Sequence, residues 1–89
     1  MSQRYVGQVL NVSDGFGFIG IGTVTREDGS PHGLPTSQDI FLHRDDCGAL
    51  LASGLAVGFE VVPDSRSGEG AFRATRALRI IEPGLLPIH

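Results

Sequence analysis

Apolar residues recur at every second position in short stretches, and Gly, Pro, Asp, Asn or Ser bounds each stretch. Residues 5–13, Tyr-Val-Gly-Gln-Val-Leu-Asn-Val-Ser, open the chain in this way, and further stretches follow at 16–25, 38–43, 58–63 and 71–81. Alternation over so few residues predicts strands, and the turn formers between them predict tight connections. Asp14-Gly15 predicts a hairpin loop, which sets Ser13 opposite Phe16 and Asn11 opposite Phe18. Gly20 and Gly22 leave room for a bend or bulge inside the second stretch. Residues 26–37 read as a loop from composition. Arg44 to Cys47 reads as a short helical turn, and 48–58 as a connection anchored by Leu50 and Leu51. A polar hairpin loop follows at 64–70, and Pro83-Gly84 ends the pattern. The result is an all-β chain.

Alternation also assigns faces, because successive strand side chains point to opposite sides of a sheet. Phe16 and Phe18 share one face of the second strand, and Phe41 and His43 share one face of the third. Ile19, Ile40 and Leu42 take the opposite face, where they can build a core. Aromatic residues on strands more often belong to a core. Here the opposite face already holds an apolar residue at each matching position except Gly17. Three Phe and a His turned outward together have no use in water alone. Nucleobases stacking on flat rings would use them.

The segments Gly15-Phe16-Gly17-Phe18-Ile19 and Asp39-Ile40-Phe41-Leu42-His43 resemble the two ribonucleoprotein motifs of the cold-shock domain family. Gly7-Gln8-Val9 is similar to the family's opening strand. Leu51 to Val61 is similar to its Leu-x-x-Gly-x-x-Val-x-Phe stretch, and Ala71 to Thr75 to its closing strand. The resemblance covers residues 5–81 and leaves 82–89 as a C-terminal tail. It implies a five-stranded Greek-key barrel of the OB type, whose second and third strands face the ligand. It also implies base stacking on Phe16, Phe18, Phe41 and His43, and an RNA-chaperone-like role in which extruded bases trap open strands.

The chain departs from the family in its charges and in one ring. Asp14 stands where the family has Lys, and there is no Trp to match its Lys-Trp-Phe, whose counterpart is Leu10-Asn11-Val12. Arg44 replaces the aromatic that follows the second-motif His, and a guanidinium plane can also stack on a base. Paired with Asp45 or Asp46, it would instead be an ordinary solvated residue. Asn11 falls beside the rings. Arg73 and Arg79 share strand parity and could form a phosphate-tracking stripe, although a charged stripe is more often a solvated strand face, and Arg66 sits in the loop between the last two strands. Arg26 and His32 in the 26–37 loop would extend that surface or serve a protein partner.

Ten acids against seven bases give a net charge of −3, and every base is Arg. Phosphate neutralisation supplies much of a nucleic-acid binder's affinity, so this inventory predicts few phosphate contacts. It also sustains a rival reading, an OB-fold protein-interaction or dimerisation module that has lost nucleic-acid binding. Catalysis is not expected. Cys47 has only His43 nearby in sequence as a base, with no third group to orient it. No Cys/His cluster has metal-ligand spacing, so neither metal nor cofactor is expected. The single Cys excludes an internal disulfide, and no apolar run is long enough for a bilayer. These features predict a cytoplasmic protein without a membrane partner, whose partners are single-stranded RNA or DNA, or on the rival reading a second copy or another protein.

Overall fold

The computed structural model describes residues 3–48, 50–64, 68 and 70–80. Six strands follow in chain order: β1 Tyr5–Ser13, β2 Phe16–Ile19, β3 Thr25–Arg26, β4 Ile40–His43, β5 Ala56–Pro63 and β6 Phe72–Arg79. Gly15 takes the left-handed position of the first turn at φ +86°. The hairpin register is the one the sequence predicts, with Ser13 opposite Phe16, Val12 opposite Gly17 and Asn11 opposite Phe18. β2 continues antiparallel onto β4, pairing Phe16 with His43 and Phe18 with Phe41.

The barrel closes because β1 serves two neighbours. Its first half pairs with β5, from Tyr5 opposite Phe59 to Gln8 opposite Ala56, and its second half pairs with β2. β5 pairs antiparallel with β6, and β6 meets β4 in parallel at Arg73 and Phe41. Five strands thus form a ring in the order β1-β2-β4-β6-β5, with β3 outside it against β1. Val9, Ile19, Ile40, Leu42, Val57, Phe59, Ala74 and Ala77 fill the interior at 0% exposure. Small residues sit where strands crowd. A Cβ on Gly7 would stand 2.8 Å from Ile19 Cγ2, which is too close for any side chain.

The stretch expected as one strand over 16–25 is broken. After Ile19 the chain makes a 3-10 turn over Ile21–Thr23 and resumes as β3. Asp39 accepts the Ile21 N–H at 3.0 Å, and the Thr23 hydroxyl donates to the Gly20 carbonyl at 2.6 Å. These bonds draw the chain off β4 and across to β1. The turn predicted after His43 is a 3-10 turn over Arg44–Asp46. Of the expected Leu50–Leu51 anchor, only Leu51 packs against the core; Leu50 is 90% exposed. The connection after β3 is held by local bonds. Asp28 accepts from the Ser30 hydroxyl at 2.6 Å and the Ser30 N–H at 2.9 Å, and Leu34 packs against the core. The hydroxyl bond to Ser30 is the main reason the Asp28 carboxyl sits below the usual aspartate range.

Two bulges reshape the faces. In β1, Val9 pairs with Ile19 and Asn11 with Phe18, so Leu10 is an extra residue with no counterpart on β2. In β6, Arg76 has φ +52° and is extra relative to β5, where Glu60 meets Thr75 and Gly58 meets Leu78. The buried Ala74 and Ala77 are consequently three residues apart. Alternation is thereby offset between Arg73 and Arg79, and the expected arginine stripe does not form.

Candidate nucleic-acid interface

The β2–β4 pairing sets Phe16 beside His43 and Phe18 beside Phe41, all pointing away from Ile19, Ile40 and Leu42. Phe16 and Phe41 stack with centroids 5.6 Å apart and 27° between planes. Phe18 meets both edge-on, at 6.0 Å from Phe16 and 5.8 Å from Phe41. His43 continues the row at 6.5 Å from Phe41. Each ring is half-buried and touches at least one other ring of the row. Such T-shaped and offset contacts stabilise the rings as a group. The four form one continuous aromatic surface.

His43 is oriented by the turn that follows it. Its Nδ1 accepts the Asp45 N–H at 3.1 Å and so caps the 3-10 turn. A ring nitrogen that accepts carries no proton, which puts the N–H of the neutral imidazole on Nε2. An Asp45 carboxylate oxygen lies 3.5 Å from the same Nδ1.

Polar side chains border the rings. Asn11 is exposed and lies opposite Phe18, as its register predicts. Ser13, opposite Phe16, adds a hydroxyl to the same face, a neighbour already implied by the hairpin register. Arg73 stands beside Phe41 across the parallel seam, with its guanidinium 3.6 Å from Asp46. Arg44 lies at the turn end of the surface, where its N–H donates to the Gly15 carbonyl at 3.0 Å. Its side chain is 69% exposed and 3.8 Å from Asp45. The acidic Asp14 sits in that same turn. Arg66 lies outside the described residues. His32 and Arg26 fold onto their own loop: His32 Nδ1 accepts the Leu34 N–H at 2.8 Å, and the Arg26 guanidinium lies over Gly33.

Arg4, Glu27, Glu60 and Arg76 form a separate charged cluster. Arg4 reaches Glu60 at 3.3 Å and Glu27 at 3.9 Å, and donates to the Arg76 carbonyl at 3.2 Å. Arg76 is 4.0 Å from Glu60. Among the described residues no group of three or more His, Cys, Asp or Glu side chains is placed to hold a metal ion. Among them, too, no helix is long and apolar enough to cross a membrane.

No protein-family profile matches the chain, and no curated protein matches it. Among solved structures it is similar to the Drosophila Unr CSD456 structure, a cold-shock domain neighbour, with a TM-score of 0.59 at 17% identity. The match covers 97% of this chain, which spans 30% of the Unr chain. The chain thus has the cold-shock-type OB fold, a closed five-strand β-barrel.

Proposed function

We propose that this domain binds single-stranded RNA or DNA by stacking bases on Phe16, Phe18, Phe41 and His43, with weak sequence preference. The observation that carries this reading is the continuous row of half-buried rings on the outer face of β2 and β4. Partly exposed rings held in a row are what an unstacked base needs, and each stacked base contributes about 1–3 kcal/mol. Asn11 and the His43 Nε2–H supply hydrogen-bonding groups at the rim, and Arg44 and Arg73 supply positive charge; Arg66 is a further candidate contact. Because Arg44 and Arg73 already face carboxylates, few phosphates are neutralised. Affinity then falls gently with salt, with a log–log slope of about −2 for single strands. The role is non-enzymatic and RNA-chaperone-like, in the cytoplasm.

Fluorescence anisotropy with labelled oligo-T, oligo-U and a matched duplex tests the reading. Single strands are expected to bind over a site of about four to eight nucleotides, and the duplex, whose bases are hidden, is not. Equal binding to duplex would contradict base stacking. The acidic Asp14 at the edge of the rings favours a second reading, in which the same face docks a protein or a second copy of this chain. On that reading Asp14→Lys disrupts a dimer in sedimentation and oligo-T binding is undetectable.

A further inference from the structure

The β1 bulge places Leu10 on the ring side of the barrel. Val9 points inward and is fully buried, Asn11 lies beside the outward Phe18, and Leu10 is the extra residue between them. Both Leu10 and Asn11 are exposed, Leu10 at 44%. Gly20 is two residues beyond Phe18, and its missing side chain belongs on the same outward face. The Leu10 side chain fills that space. A Cβ on Gly20 would stand against Leu10 Cδ1, 2.8 Å from Cγ and 3.5 Å from Cδ2. Gly20 has no side chain, yet it is buried. Its backbone is ordinary extended chain, φ −64° and ψ 122°, which any residue adopts. Glycine serves here to make room, without any demand for unusual backbone angles.

The bulge is held in place. The Ser53 hydroxyl donates to the Leu10 carbonyl at 2.8 Å, and the Gly54 N–H donates to the Val9 carbonyl at 2.7 Å. The Gly20 N–H donates to the Gln8 carbonyl at 3.0 Å, which fixes Gly20 against the other side of the bulge. Leu10 is therefore a seated aliphatic group that extends the line Phe16, Phe18 by one further position.

We propose that Leu10, seated over Gly20, is a further base-contacting residue: an aliphatic shelf that receives the nucleobase next to the one stacked on Phe18, with the Asn11 amide beside it. This rests on the single-strand reading above. An aliphatic shelf offers dispersion and apolar burial without ring stacking, so its contribution is smaller than that of a Phe.

A double-mutant cycle on Leu10 and Gly20, read by oligo-T anisotropy with thermal melting as a control, tests the shelf. Leu10→Ala is expected to weaken oligo-T binding by about three- to tenfold, below the loss for an aromatic platform residue. Gly20→Ala pushes Leu10 from its seat and is expected to weaken binding several-fold in the wild-type background. In the Leu10→Ala background, where the space is vacant, Gly20→Ala is expected to change nothing further. Additive losses in the double variant would overturn the seating argument. Undiminished binding by Leu10→Ala, while Phe18→Ala weakens it, would overturn the shelf and leave the platform standing. No oligo-T binding by the wild-type domain would instead overturn the single-strand reading itself.

Discussion

The barrel carries two aromatic groups of the same chemistry in opposite settings. Tyr5 and Phe59 lie inside, with centroids 6.2 Å apart, Phe59 at 0% exposure and Tyr5 at 8%. Phe16, Phe18, Phe41 and His43 lie outside, half-buried and in contact with one another through stacked, tilted and edge-on geometries. Strand parity makes the difference. Phe59 shares the inward parity of the fully buried Val57, whereas Phe16 and Phe18 flank Gly17, which takes the interior position. The inner pair is part of what holds the fold. The outer group is larger than the fold requires, since Ile19, Ile40 and Leu42 already fill the same strands' inner face. The proposed function gives this surplus aromatic area a use, as a surface on which bases stack.

Truncating the inner group should have the largest effect. Phe59→Ala is expected to cost about 3–5 kcal/mol of stability and Leu42→Ala about 2–5 kcal/mol, read by denaturant or thermal unfolding. In the fraction that remains folded, oligonucleotide affinity should be unchanged. Phe18→Ala and Phe41→Ala should show the reverse pattern. Each is expected to weaken oligo-T binding by about 1–3 kcal/mol. Each should also cost less stability than the core truncations, because each ring is already partly exposed. If Phe18→Ala unfolded the domain as readily as Phe59→Ala, without touching affinity, the two groups would have been assigned the wrong way round.

Charge sharpens the comparison at a smaller scale. Asp14→Lys reverses a charge at the end of the aromatic row. It is expected to tighten oligo-T binding and to steepen its salt dependence by about one phosphate contact. Some stability is lost with it, because Asp suits the turn. An unchanged salt slope would mean that the strand's backbone does not pass the β1–β2 turn. The smallest effect lies away from both aromatic groups. The Asp28 carboxyl is held below the ordinary aspartate value by the Ser30 hydroxyl. A depressed carboxylate contributes stability above its unfolded value and loses that contribution as pH falls through its folded value. Ser30→Ala should raise the Asp28 titration midpoint toward the ordinary range in an NMR carboxyl titration, with no effect on binding near neutral pH.

The parts of this architecture set by local alternation were legible in the sequence. Asp14-Gly15 fixed the hairpin register, and that register alone placed Asn11 and Ser13 beside the rings. The faces of Phe16, Phe18, Phe41 and His43 followed from parity, as did the burial of Ile19, Ile40 and Leu42. The features that were not legible depend on contacts distant in sequence or on an irregular residue. Arg73 stands beside Phe41 only because β6 closes the barrel in parallel against β4. Leu10 reads as an ordinary alternating residue until the Ser53 bond and the space over Gly20 single it out. Arg76 adopts a positive φ with no compositional signal, and its bulge separates Arg73 from Arg79. The break after Ile19 depends on Asp39, which belongs to the far side of a long loop.

The most direct test is to watch both aromatic groups at once during a titration. In a ¹³C-resolved aromatic NMR spectrum, stacking bases place ring currents over whichever rings they touch. Adding oligo-T should shift the Phe16, Phe18, Phe41 and His43 resonances progressively and leave those of Tyr5 and Phe59 in place. Outer rings that stay unmoved while binding saturates elsewhere on the barrel would contradict the account.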